Sequence, residues 1–168
     1  MRRASIGATF NFYRDGEGAE VRCHRLRTYL EANENAPLLL VGEAAGHRGT
    51  RVSGIPFTSE RQLTGQGPAE ATATIVRRTL AELGLERQTL CWNVVPTHPH
   101  RPAEPQTNRA PTSAEIDESR RFLDELARGR RVIAVGRVAE RALGVHGVRH
   151  PSHGGALAFR DGLRRLLA

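Results

Sequence analysis

Four short apolar runs punctuate the chain, separated by stretches whose apolar positions recur at helical spacing. The first run, LLLV at 38–41, stops abruptly at Gly42. The second, TLCWNVV at 89–95, is rich in β-branched and aromatic residues. The third is RVIAVG at 131–136, and a short fourth at 148–150 is broken by Pro151. Runs of this length, bounded by turn residues, predict strands. Helical periodicity predicts helices over 20–32, 69–83, 138–143 and 155–168. Another starts at Thr112, an N-cap whose capping box is completed by Glu115, and stops at Gly129. Residues 1–19 are polar and glycine-bearing and read as an irregular arm.

Strands alternating with helices of this length imply right-handed βαβ crossovers. The expectation is an α/β fold of three α/β/α layers around a four-stranded parallel sheet, in one domain spanning 1–168. Ligands in such sheets gather at the carboxyl ends of the strands. Three polar stretches end strands there: the loop 42–60, which carries four glycines, the segment around Asn93, and the segment from His150. Order and periodicity alone thus place one site.

Composition narrows the chemistry. The 168 residues carry 25 arginines and no lysine against 18 acids, for a net charge of +7. Net positive charge favours polyanions, and arginine suits bidentate phosphate contacts; a GC-rich codon bias would produce the same excess. Without lysine, a Walker A loop and a lysine Schiff base are impossible. Two cysteines, Cys23 and Cys91, cannot hold an iron–sulfur cluster, which takes four, and suggest a reducing compartment. No stretch is long and apolar enough for a membrane span, and the N-terminus lacks an apolar signal core, so a cytoplasmic protein is expected.

Within the site, Asn93 interrupts an apolar strand. A buried amide there either ties down a loop or reads a ligand edge, since it offers an acceptor and two donors in one plane. That pattern matches uracil, whose N3–H donates and whose O4 accepts; cytosine reverses both. Phe57, alone among small and polar residues, is either core or a stacking surface for a flat ring. His150 either caps a strand end or donates to a developing negative charge. The pairs His98/His100 and His150/His153 have ligand-like spacing but lack obvious third and fourth ligands, so no metal is expected. GEAAG is not a dinucleotide fingerprint, and no ribose-binding acid follows the second strand.

From residue 38 to the end, the chain resembles the uracil-DNA glycosylase superfamily. GEAAGHRG is similar to the GEAPG motif of its iron–sulfur bacterial branch, and GEAAGHRGTRVSGIPFTSE has the layout of the thermophile-type branch. WNVVPTHPHRP resembles the strand that reads the base, and VRHPSHGG the motif with the catalytic histidine. The resemblance implies a four-stranded parallel sheet and an enzyme that flips a base from DNA and hydrolyses its N-glycosidic bond. By motif, Phe57 would stack on the base and Asn93 would read it, with Gly42, Ala44 and Gly46 lining the pocket. His150 would stabilise charge at O2. Ser152 would touch a phosphate, and His153 and Ser59 would also contact DNA, with His153 or Leu157 as the wedge into the emptied stack.

Three departures from the family carry consequences. The water-activating aspartate of the best-known branch falls on Ala44, leaving Glu60, with Glu43 in support, as the expected base. The thymine-excluding tyrosine falls on Gly46, which predicts a roomier pocket and a base range extending to other deaminated bases. The cluster cysteines are missing, so no cofactor is expected. The absence of lysine predicts a monofunctional enzyme without lyase activity. The expected partner is DNA containing uracil or other deaminated bases, bound by a monomer. The other reading is a catalytically weak or inactive relative that binds damaged or abasic DNA.

Overall fold

Strand β1 (Leu38–Ala44) lies inside a four-stranded, all-parallel sheet of order β2-β1-β3-β4, with β2 at Thr89–Val95, β3 at Arg131–Val135 and β4 at Gly147–Val148. The computed structural model describes residues 1–168. Helix α1 (Ala19–Ala32) precedes β1. Single-turn helices α2 (Thr50–Ser53) and α3 (Glu60–Thr64) interrupt the loop after it, and α4 (Ala71–Glu82) leads to β2. Helices α5 (Ser113–Ala127), α6 (Arg137–Leu143) and α7 (Ala156–Leu167) complete the chain. The α/β sandwich expected from periodicity is therefore present. From β1 the chain moves outward to β2, then returns to the other side of β1 for β3. With this reversal, the crevice opens beyond the carboxyl edge of the sheet.

Strand alternation sorts the core into two faces. Leu39, Val41, Leu90, Trp92 and Val94 pack with Leu123 of α5 and Ala139 of α6. Leu40, Cys91, Ile133 and Val135 pack with Val76 and Leu80 of α4 and with Phe159 and Leu163 of α7. Every residue of β2 is buried although it is an edge strand. Tyr29 of α1 covers that edge, its hydroxyl accepting from the Cys91 N–H at 2.7 Å. Burial pushes the Tyr29 phenol up, so it remains protonated.

The N-terminal arm is irregular, as expected, but it is core rather than fringe. Phe12 and Tyr13 are fully buried in the first cluster, together with Ala4 and Ile6. Phe10 and His98 exchange backbone hydrogen bonds of 2.9 and 3.0 Å as an isolated antiparallel bridge. Tyr13 donates to the Gly54 carbonyl at 2.9 Å. Non-periodic burial of this kind leaves no pattern to read. Two boundaries also differ from expectation. The fourth strand is Gly147–Val148 rather than 148–150, because the chain turns away before Pro151. The loop after β1 contains α2 and α3, each too short to show helical periodicity.

The capping box of α5 forms as predicted: the Thr112 hydroxyl accepts from the Glu115 N–H at 3.2 Å, and Glu115 accepts from the Thr112 N–H at 2.9 Å. Glu115 also receives Arg109 through two bonds of 2.8 and 2.6 Å. Its side chain is 2% exposed and that of Arg109 22%. Removing the arginine strands a buried carboxylate, so Arg109→Ala should destabilise the fold by about 1–3 kcal/mol, below the full cost of a completely buried pair. The Arg109 bonds, more than any other influence, hold the Glu115 carboxyl below the ordinary range. Their contribution is therefore present above the unfolded glutamate value of about 4.3 and lost as pH falls through the lower folded value. Urea titrations should show the gap between wild type and variant closing below about pH 4; a gap that persists there would contradict the ion-pair account.

Candidate active site

The crevice holds a cavity of about 290 Å³, at the small end of the roughly 300–1,000 Å³ usual for ligand sites. That is room for a base-sized ring rather than a dinucleotide. Its walls come from the ends of β1 and β2, the loop after β1, the start of α4, the loop after β2 and the turn after β4. Gly42, Glu43, Ala44, Gly46, Phe57, Asn93, His150 and Ser152 all line it. These residues lie as far as 110 positions apart in the chain, and the strand ends bring them together.

Gly42 and Asn93 are register partners on β1 and β2. Both continue the sheet face that carries Leu40 and Cys91, so Asn93 points to the same side as Phe57. Asn93 is 4% exposed and its Nδ2 has no hydrogen-bond partner. Buried amide donors are nearly always paired, so this one is an exception in the fold. The Phe57 ring packs over Gly42: a β-carbon there would lie 2.5 Å from Phe57 Cζ and 3.0 Å from Asn93 Oδ1. Only glycine lets ring and amide converge.

Phe57 itself has φ of 50°, a left-handed conformation costly for a bulky residue. Its neighbours hold it there. The Ser53 hydroxyl donates to the Thr58 carbonyl at 2.6 Å, and Arg77 Nη2 of α4 donates to Thr58 Oγ1 at 2.6 Å.

Across the cavity, His150 Nδ1 accepts from the Ser152 backbone N–H at 3.2 Å and contacts the Ser152 hydroxyl at 2.8 Å. An amide N–H can only donate, so Nδ1 is the unprotonated nitrogen and the ring proton sits on Nε2. Burial, then the Arg149 and His153 charges, hold His150 below the ordinary histidine value. It is a neutral imidazole with a free Nε2–H donor. Ser152 thus orients His150 from within the cavity, and its hydroxyl also lies 3.0 Å from His153 Nδ1. His153 is exposed with φ of 51°.

Two expected roles do not fit these placements. Glu60 stands outside the cavity lining, its carboxylate held by Arg25 of α1 through bonds of 2.8 and 3.0 Å. Ser59 is fully buried, and both its N–H and its hydroxyl donate to Gln62 Oε1 at 2.8 Å. It caps α3 and offers nothing to a phosphate. Spacing in the motif could not show either partner, because Arg25 and the fold of the loop are tertiary facts.

Glu43 does line the cavity, and burial raises its carboxyl pKa despite the Arg141 charge. It falls one position out of step with Gly42, on the opposite strand parity.

The cavity also contains residues that no sequence motif singles out. Glu70 and Thr72 come from the start of α4, and Pro99, Asn108 and Arg109 from the loop after β2. Asn108 Oδ1 accepts from the His47 N–H at 2.9 Å, pinning that loop to the first motif. His98 Nδ1 donates to the Ala45 carbonyl at 2.8 Å, so it serves as a brace. No group of three or more His, Cys, Asp or Glu is arranged to hold a metal ion. No helix is long and apolar enough to cross a membrane.

The expected room at Gly46 is also absent. A β-carbon on Gly46 would overlap Glu70 Oε1, and one on Gly49 would overlap Glu70 Oε2. The space left by the small residue is filled by a carboxylate from α4.

Comparison with known proteins agrees with this architecture. The crystal structure of wild-type Pedobacter heparinus SMUG2 superposes with a TM-score of 0.71 at 15% identity, covering 98% of this chain and 89% of that one. No curated protein sequence matches the chain. The family model of the uracil DNA glycosylase superfamily matches residues 30–162. With the sheet, the crevice and that match together, the chain belongs to the uracil DNA glycosylase superfamily.

Proposed function

We propose that this DNA glycosylase removes uracil from DNA, flipping the base into the cavity and hydrolysing its N-glycosidic bond without cutting the strand. One observation carries the reading: the buried Asn93 amide, its Nδ2 unpartnered, faces a cavity walled by the Phe57 ring and closed by a neutral His150. Nδ2 donates to uracil O4 and Oδ1 accepts from N3–H, while Phe57 stacks on the ring. His150 Nε2–H donates to O2 as the bond breaks and negative charge develops there. A lysine imine is unavailable to a chain without lysine, which favours an intact abasic product.

Release of free uracil from a uracil-containing oligonucleotide tests the function. Strand breaks should appear only after alkali. Binding to abasic DNA with no base release would favour a non-catalytic relative instead. Because Glu70 fills the space at Gly46, we place uracil at the centre of the base range, with hypoxanthine, xanthine and thymine as the comparison panel. The free thiols Cys23 and Cys91 fit work in a reducing cytoplasm, as a monomer.

Arg149 and Arg48 are exposed, the first adjoining His150 and the second lying between Gly46 and Gly49. They are placed to meet phosphates around a flipped nucleotide. Leu157, at the start of α7, is 65% exposed and follows the HPSHGG turn. It fits the wedge that fills the emptied stack. Leu157→Ala should slow uracil release from duplex DNA by about tenfold, with release from single strands and folding stability unchanged. An equal loss on both substrates would remove Leu157 from that role.

A further inference from the structure

We propose that Glu70 is the carboxylate that activates the attacking water. The assignment rests on the glycosylase reading above and names a residue outside the resembling motifs. Of the carboxylates considered, Glu60 is neutralised by Arg25 outside the cavity, and Glu43 lies on the strand parity opposite Asn93, within the field of Arg141. Glu70 lines the cavity, and its carboxylate makes no hydrogen bond or ion pair with any residue. Both of its oxygens occupy space that exists only because positions 46 and 49 are glycines. A half-buried carboxylate without a donor carries a desolvation cost, and a water molecule held between it and a bound nucleotide relieves that cost. Burial alone, with no charged neighbour contributing, raises its carboxyl pKa, which strengthens it as a base.

The step balances without another reactant. Glu70 takes a proton from water as the water oxygen bonds to C1′ of the deoxyribose. The C1′–N bond breaks and its electron pair leaves on the base, where His150 Nε2–H stabilises the charge. The proton on Glu70 returns through solvent to the departing base. The products are free base and an abasic sugar hydroxyl.

Single-turnover uracil release decides the assignment, with wild type, Glu70→Gln, Glu70→Ala and Glu43→Gln compared on one oligonucleotide. Glu70→Gln should lose about 10²–10⁴-fold in rate, with affinity for abasic-site DNA retained. Added formate should restore part of the Glu70→Ala rate without speeding the wild type, a rescue that a purely structural or space-filling role would not show. Circular dichroism of both variants separates loss of chemistry from loss of fold, and Glu70→Asp, with partial activity expected, serves if either fails to fold. The assignment falls if Glu70→Gln stays within about tenfold of wild type, if Glu43→Gln loses more, or if Glu70→Ala merely widens the base range. An inactive wild type would overturn the glycosylase reading and this assignment with it; an active wild type beside a fast Glu70→Gln overturns this assignment alone.

Discussion

Replacing His150 with alanine should slow single-turnover uracil release by about 10²–10³-fold, the usual worth of one preorganised donor at a developing anion. The donor is preorganised because its tautomer is already fixed. The Ser152 N–H occupies Nδ1, which leaves the proton on Nε2. Burial and the neighbouring Arg149 and His153 charges keep the ring neutral, so no imidazolium has to be desolvated on substrate binding. Protonation at Nδ1 would displace the Ser152 N–H, a second reason for a depressed midpoint. An NMR titration should place the His150 midpoint below the ordinary 6.5. Because the ring is only half-buried, thermal unfolding of His150→Ala should track wild type closely. A loss of less than tenfold in release would remove the histidine from the role of principal electrostatic stabiliser.

The second large effect lies at Asn93. Asn93→Asp replaces the Nδ2 donor by an oxygen, so the ionised side chain still accepts from uracil N3–H but leaves O4 without a donor. At about 1–3 kcal/mol for that one mispaired buried group, uracil release should fall by roughly 5- to 150-fold. Burial favours the acid form of the new side chain, whose one donor and one acceptor can exchange places and so also fit cytosine N3 and N4–H. Cytosine release, negligible in wild type, should become measurable in the variant. Paired assays on oligonucleotides carrying uracil or cytosine check both halves. Uracil release within about threefold of wild type would show that the amide braces a loop instead, since one mispaired group should already cost more. The orphaned Nδ2 argues against that bracing role, as no protein hydrogen bond is there to be lost.

Much of the scaffold was legible because it obeys periodic rules. The bounds of β2 follow directly from TLCWNVV, and the cap of α5 from Thr112 and Glu115. The alternation that buries Leu40 and Cys91 also sends Gly42 and Asn93 toward one side. The same residues, with Phe57 and His150, carry the resemblance to the superfamily and meet in one cavity. The acids were not legible. Glu60 ends a loop that, as linear text, points at the site, yet the loop coils into α2 and α3 and delivers its carboxylate to Arg25. Glu70 reads as nothing more than a polar residue in the first turn of a helix predicted over 69–83.

The sequence by itself determined the sheet, the order of its strands along the chain, and the stretches that end at its carboxyl edge. Local propensity and period-two burial are properties of neighbours in the chain, so they survive in one dimension. Only the tertiary structure decided which charges meet, because ion pairing and desolvation depend on distances between residues far apart in sequence. Arg25 on α1 captures Glu60, and the gap between Gly46 and Gly49 admits Glu70. The folding of the arm and its burial of Phe12 and Tyr13 belong to the same class. Phe57, Asn93 and His150, which meet in the pocket, were written in the motifs; which carboxylate faces them was settled by packing.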